Sequence, residues 1–285
     1  MRTHLIQRGS PVHAEYVYPD DSIQAQYIES DEWTKQGAKL RYDHQTDTYY
    51  LHVSLTQERE DSSGEAENQT VLGVDRNVDG YLAVTSTGAF IGNADLLNHK
   101  RREYERRRAR LHHQGTRSAH LTIQSIGDTF ANWSEDFLHQ ASKKLVKEAV
   151  SQASTTIVFE ELAGIRTGIS TAAKFQQWAF NELKRQVEYK AKAEGIAVET
   201  VHPQYTSQRC SETGCGFTHE DNRDGDEFAC QKCGKELHAD YNAARNIAHK
   251  FIQNRRKSGS GGATYHLALK SGTVNGNGDY SPSTV

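Results

Sequence analysis

Val71-Leu-Gly-Val-Asp75 is a short, almost wholly apolar run that stops at a carboxylate. Tyr81-Leu-Ala-Val-Thr85 and Ala89-Phe-Ile91 follow it, separated by Asp79-Gly80 and Thr87-Gly88. Apolar runs of this length with Asp-Gly and Thr-Gly between them predict three strands in a meander. The period then changes. A basic helical stretch is expected from about Asn98 to His113. A second follows from about Thr129 to Gln152, where Phe130, Trp133, Phe137, Ala141, Leu145 and Ala149 recur near helical spacing. Thr155-Thr-Ile-Val-Phe159 predicts a strand ending at Glu160-Glu161. Phe175 to Glu194 predicts a helix closed by Gly195, Ile196 to Val201 a strand, and Ala239 to Arg255 a last helix with Ala243, Ala244, Ile247, Ala248 and Phe251 on its apolar face. Trp133 and Trp178 are expected in the core.

Outside this alternation the pattern is weaker. Residues 1–35 are polar without a clear period. Gly37 to Thr56 predicts a hairpin around Asp43-His-Gln-Thr-Asp47, and Gln57 to Thr70 is acidic and linker-like. Ser258 to Val285, rich in Gly and Ser, predicts disorder. No internal repeat is present. Strands, helices, strand, helix, strand, helix is the order of an RNase H-like α/β fold, although many α/β proteins share it.

Composition narrows the class. The chain has 285 residues, 35% hydrophobic and 25% charged, enough for one large core with a small satellite or for two modest domains. It has no apolar run of membrane-spanning length and no signal-peptide pattern, so a cytoplasmic location and no membrane partner are expected. The net charge of −3 argues against a general nucleic-acid coat. The charge is uneven, however. Lys100, Arg101, Arg102, Arg106, Arg107, Arg108 and Arg110 form a basic strip that could follow a phosphate backbone. The competing reading is a solvated helix in which Glu103 and Glu105 pair with neighbouring arginines.

All four cysteines lie between Cys210 and Cys233. Cys210 and Cys215 are separated by four residues, and Cys230 and Cys233 by two, which predicts two knuckles closing four thiolates on one structural Zn²⁺. His219 and His238 lie nearby, but four thiolates already fill the zinc shell. These histidines are expected at the surface or against nucleic acid.

Three carboxylates end or open predicted elements: Asp75 after the first strand, Glu160 after the fourth, and Asp240 at the last helix. Each alone is an ordinary cap or turn residue, and Asp240 could simply cap its helix. Together they are the donor set a pair of hard divalent cations requires, delivered from separate elements.

Their local sequences are more specific. Gly73-Val-Asp75-Arg-Asn77, Ile157-Val-Phe-Glu160-Glu-Leu162 and His238-Ala-Asp240-Tyr-Asn242-Ala-Ala244-Arg-Asn246-Ile247 closely resemble the TnpB/OrfB family of insertion-sequence proteins, relatives of type V CRISPR effectors. The likeness runs from about Gly37 through the C-terminal tail, most of the chain. It implies that Asp75, Glu160 and Asp240 are the catalytic acids of a RuvC-type core holding Mg²⁺. It also implies DNA and a guide RNA from the transposon end as partners. Two positions depart from the family's pattern. Glu161 stands where the second motif often has Asp, which makes it a lesser ligand candidate, and Ala239 stands where the third often has Arg. Thr206-Ser-Gln-Arg209 resembles a recurring family segment without an assigned chemistry.

The resemblance also implies a longer N-terminal region, so a shortened, truncated β region is expected here. The resulting division is 1–70 for a partial wedge-like β region and linker, 71–205 for the first part of the nuclease core, 206–235 for the zinc ribbon, 236–256 for the final catalytic helix and 257–285 for a disordered tail. The function implied is a transposon-associated (OrfB/TnpB-type transposase), RNA-guided, metal-dependent DNA endonuclease. The alternative is an inactive member that only binds DNA or RNA. A tyrosine transposase is disfavoured, because His112-His113 does not supply the spaced histidine pair of that class. Oligomeric state is not legible.

Overall fold

A computed structural model describes residues 2–7, 10–15, 17–19, 22–44, 46–58, 68–161, 171–257, 264–268, 272–274 and 280–282. The chain divides into two compact units, Met1–Ser62 and Ser63–Val285.

The first unit is built from hairpins. β1 (Arg2–Gln7) and β2 (Ser10–Glu15) pair antiparallel, a structure the unpatterned opening residues did not announce. α1 (Ile23–Ile28) is capped by the Ser22 hydroxyl, which accepts from the Ala25 amide at 3.1 Å. β3 (Thr34–Asp43) and β4 (Thr48–Thr56) form the expected hairpin, with Asp47 at φ 52° in the turn. Neither of these two strands buries a residue.

The second unit is a mixed sheet between helices. β5 (Asn68–Arg76) runs through its centre, and β6 (Ala83–Thr85) and β7 (Phe90–Ile91) complete the predicted meander. α2 (Ala94–Gln114) and α3 (Arg117–Ser151) follow, longer than the sequence pattern suggests. β8 (Thr156–Glu160), α4 (Thr171–Ala193) and β9 (Ala197–Val201) return the chain to the sheet in parallel. Three short strands form a separate small sheet: β10 (Arg223–Asp224), β11 (Glu227–Ala229) and β12 (Glu236–His238). α5 (Ala239–Lys257) continues directly from β12.

The segment after α5 departs from the expected disordered tail. β13 (Thr264–Leu267) pairs parallel with the first half of β5, burying Tyr265, while β14 (Gly272–Val274) and β15 (Tyr280–Pro282) form a two-stranded ladder. β6 takes residues 74–76 of β5, so the other end of that edge is free for β13. Such a long-range pairing leaves no mark on local composition.

Strand alternation sorts the sheet into two faces. Leu72, Val74, Ile157 and Phe159 join the core under α3 and α4. Val71 and Val158 join the core under α5, with Ile247, Ala248, Phe251 and Tyr265. Among the described residues no helix is long and apolar enough to cross a membrane. Trp133 packs on the edge of the larger core, but Trp178 is 39% exposed and leans on Phe175 instead of being buried.

Gly73 sets the spacing between β5 and α5. A Cβ built there would lie 2.0 Å from the Ala244 carbonyl oxygen and 3.0 Å from Ala248. Only glycine lets the helix backbone lie this close to the strand. Gly73→Ala should lower stability by about 3 kcal/mol, the upper end for overpacking, because backbone instead of a flexible side chain must yield. A melting temperature equal to the parent's would contradict this contact.

Candidate functional site

The alternation that separates the two cores also positions the acids. Asp75 shares its face of β5 with Val71 and Gly73, and Glu160 shares its face of β8 with Val158, so both carboxylates lie on the α5 side. β5 and β8 are parallel with Val74 opposite Phe159, which places the next residue of each strand at the same sheet end. Ala244 lies over Gly73. Four residues back along α5 is a rise of about 6 Å. Two residues forward along β5 is about 7 Å. Asp240 therefore comes level with Asp75.

Electrostatics reflects the same closeness. The Asp75 carboxyl is pushed well above the usual carboxylate range, first by burial and then by the negative charges of Asp240 and Glu160. Arg223 and Arg76 pull it partly back. Burial raises Asp240 as well, against the opposing pull of the Arg223 guanidinium. Glu161, the lesser candidate, has an exposed side chain, while Glu160 is half-buried.

Two arginines hold this end together. The guanidinium of Arg76 lies 5.1 Å from the Phe159 ring centre and 5.5 Å from that of Phe180, and donates to the Phe180 carbonyl at 3.0 Å and to the Glu160 carbonyl. Burial lowers its pKa to about 10, against the pull of Asp75 and Glu160. Arg223 Nη2, from β10, donates to Asp240 Oδ1 at 3.0 Å. Neither arginine was singled out from the sequence. Arg76 adjoins a predicted ligand, whereas nothing local marks Arg223.

The four cysteine sulfurs lie within 4.8 Å of one another, with Cys210 to Cys233 and Cys215 to Cys230 each at 3.7 Å. Four sulfurs about 2.3 Å from one tetrahedral Zn²⁺ would be separated by about 3.8 Å. A disulfide would require about 2.05 Å. The spacing is that of a metal knuckle pair, and the four cysteines can hold zinc.

His238 departs from the surface position expected of it. It is buried, edge-on to Phe90, and its Nδ1 accepts the Asp240 amide at 3.2 Å. With Asp226 and Asp240 it forms a second group of potential ligands within 4.8 Å. A neutral ring that accepts at Nδ1 carries its proton on Nε2. A metal ligated through Nε2 would require the opposite tautomer and break the bond to the Asp240 amide, so this group is better read as a cap for α5.

The basic strip is only partly available. Arg101 is buried, with Nη1 2.8 Å from both carboxylate oxygens of Glu105, and Lys100 pairs with Glu103 at 3.4 Å. Arg102, Arg106, Arg107 and Arg108 are exposed.

This is an α/β protein with three acids gathered at one end of a mixed sheet and a four-cysteine ribbon leading into the helix that carries the third. Residues 180–247 match the family model described as Cas12f1-like, TNB domain. The chain is 33% identical to the CRISPR-associated endodeoxyribonuclease Cas12f1 of Sulfoacidibacillus thermotolerans, over 78% of this chain and 54% of that protein. It is 30% identical to InsQ of Escherichia coli (strain K12), whose name describes a candidate RNA-guided DNA endonuclease, over 69% of this chain and 52% of InsQ. A TnpB-like protein of Methanocaldococcus jannaschii is 33% identical over 41% of this chain and 42% of that protein. The chain is similar to TnpB-like and Cas12f1 proteins, and spans about half the length of those it matches.

The raised Asp75 pKa has a measurable consequence. A carboxyl whose folded value lies above its unfolded one destabilises the fold once pH exceeds the unfolded value, and fully so above the folded value. Asp75→Asn should therefore raise the melting temperature near neutral pH in Mg²⁺-free buffer. The gain should fade as pH falls to about 4, the ordinary carboxylate value. A loss of stability at neutral pH would contradict the assigned environment.

Proposed function

We propose that the chain carries a RuvC-type, RNase H-like nuclease core with an inserted structural zinc ribbon, and that it acts as a transposon-associated, RNA-guided DNA endonuclease. The observation that carries this reading is the convergence of Asp75, Glu160 and Asp240, from two strands and a helix, on one face at one end of the sheet. The names of Cas12f1 and InsQ support it, since both describe enzymes that cut DNA.

The donor set fits Mg²⁺. It consists of hard carboxylate oxygens, and burial together with the repulsion of Asp240 and Glu160, which raises Asp75, is the condition a divalent cation relieves. Asp75, Glu160 and Asp240 would hold it. When bound there, Mg²⁺ supplies activation of a water for attack on phosphorus and neutralises charge on the leaving oxygen. Arg76 fixes the backbone at Glu160 and so holds the end of β8. Arg223 brings a guanidinium, suited by shape to phosphate oxygens, to the same carboxylate end. Arg102, Arg106, Arg107 and Arg108 offer sequence-independent contacts to a nucleic-acid backbone. Arg101 is committed to Glu105 and is left out of this group.

The chain purified from its host should carry RNA from the adjacent transposon end, and with it cut matching DNA in Mg²⁺. Glu160→Gln and Asp240→Asn should each lower the cleavage rate by about a thousandfold or more while RNA and DNA remain bound. That loss is within the several kcal/mol a metal site contributes to the transition state. Cutting at the parental rate by both variants would refute the assignment.

Replacing Arg106, Arg107 and Arg108 together with Glu should weaken nucleic-acid affinity and flatten its dependence on salt by about 0.9 per lost phosphate contact on duplex DNA. An unchanged salt slope would assign that face to solvent.

A further inference from the structure

We propose that Thr206 is a positioning residue that fixes the carboxylate of Glu160, and that one face of α5 sets its place. The inference rests on the metal-binding role given to Glu160 above. Thr206 stands in the loop between β9 and the first cysteine, is buried, and directs its hydroxyl at Glu160 Oε1. The Thr206 hydroxyl oxygen also lies 3.2 Å from the Pro203 carbonyl oxygen. A hydroxyl has one proton to give, and a carboxylate oxygen is a stronger acceptor than a backbone carbonyl, so Thr206 donates to Glu160 Oε1. The terminal torsion of a glutamate is broad and turns readily between orientations. A fixed donor on Oε1 removes that freedom and leaves Oε2 presented to a cation. Hydrogen-bond partners of this kind typically change metal affinity by about 10–100-fold.

The loop is held against α5 at four-residue intervals. Asn242 Nδ2 donates to the Arg209 carbonyl at 2.8 Å, and its Oδ1 accepts the Ser211 amide at 3.0 Å. Asn246 Nδ2 donates to the carbonyls of Thr206, at 2.9 Å, and Arg209. Lys250 Nζ donates to the Gln204 carbonyl at 2.9 Å. Residues 242, 246 and 250 lie above one another on one helical face. Tyr205, just before Thr206, sits at φ 64°, a left-handed conformation that a non-glycine residue keeps only where surrounding contacts impose it. α5 thus bears one carboxylate directly, as Asp240, and orients a second through the loop and Thr206. The Thr206-to-Arg209 segment acquires a chemical role that its sequence did not reveal.

The test is equilibrium Mn²⁺ binding to the full chain, followed by electron paramagnetic resonance of the free ion, with zinc content and melting temperature measured on the same samples. Thr206→Val removes the hydroxyl at nearly constant shape and should weaken Mn²⁺ binding about tenfold with zinc unchanged. Thr206→Ser keeps the hydroxyl and should stay within about threefold of the parent, well short of that loss. If the valine variant does not fold, Thr206→Ala reads the same loss. Asp75→Asn distinguishes the two levels of the argument. Parental Mn²⁺ binding by the valine or alanine variant, with binding lost in Asp75→Asn, overturns the role of Thr206 alone. Parental binding by Asp75→Asn overturns the metal site and the positioning role with it. Equal weakening by Thr206→Ser and Thr206→Val also overturns the proposal, because the hydroxyl would then not be what matters.

Discussion

Helix α5 lies so close to β5 that no side chain fits at Gly73, and the geometry of the acidic site depends on that approach. The small residues Ala244 and Ala248 allow it from the helix side, and the missing Cβ allows it from the strand side. A four-residue step of helix then matches a two-residue step of strand, which carries Asp240 to the height of Asp75. Glu160 arrives by a separate route, through the parallel register of β8 on β5. Two packing relations, one helix to strand and one strand to strand, bring together residues 85 and 165 positions from Asp75 in the sequence.

Gathering like charges in a buried place works against folding, and the surroundings show how the cost is offset. Arg76, held between two aromatic rings, and Arg223, reaching from the ribbon, both draw the Asp75 carboxyl back towards its charged form. Neither cancels the effect of burial and of the two neighbouring acids, and the carboxyl stays above its normal range. Natural proteins keep such uncompensated charge mainly where a cation or substrate will meet it. The ribbon contributes beyond its cysteines. It supplies Arg223, its Asp226 carbonyl accepts the Ala239 amide at 2.7 Å, and His238 accepts that of Asp240, so the start of α5 is tied to it.

Much of this is legible in the sequence, for physical reasons. Val71 to Val74 reads as a buried strand because both of its faces are covered, and the run ends where Asp75 meets the site. The cysteine knuckles are legible because zinc demands fixed ligand types at short spacing. The last helix is legible from its stripe at Ala244, Ile247, Ala248 and Phe251. What escapes the sequence is set by distant contacts. Arg101 lies within a run of arginines and only its packing shows that it belongs to Glu105. Thr206 acquires meaning only beside Glu160, His238 only as a cap, and β13 only from the free edge of β5.

Anomalous X-ray scattering from crystals grown with Mn²⁺ addresses the central claim most directly. The account predicts manganese among the side chains of Asp75, Glu160 and Asp240, with zinc separately among the four cysteines. Manganese absent from the three carboxylates at saturating concentration, while the cysteine site holds its zinc, would contradict it.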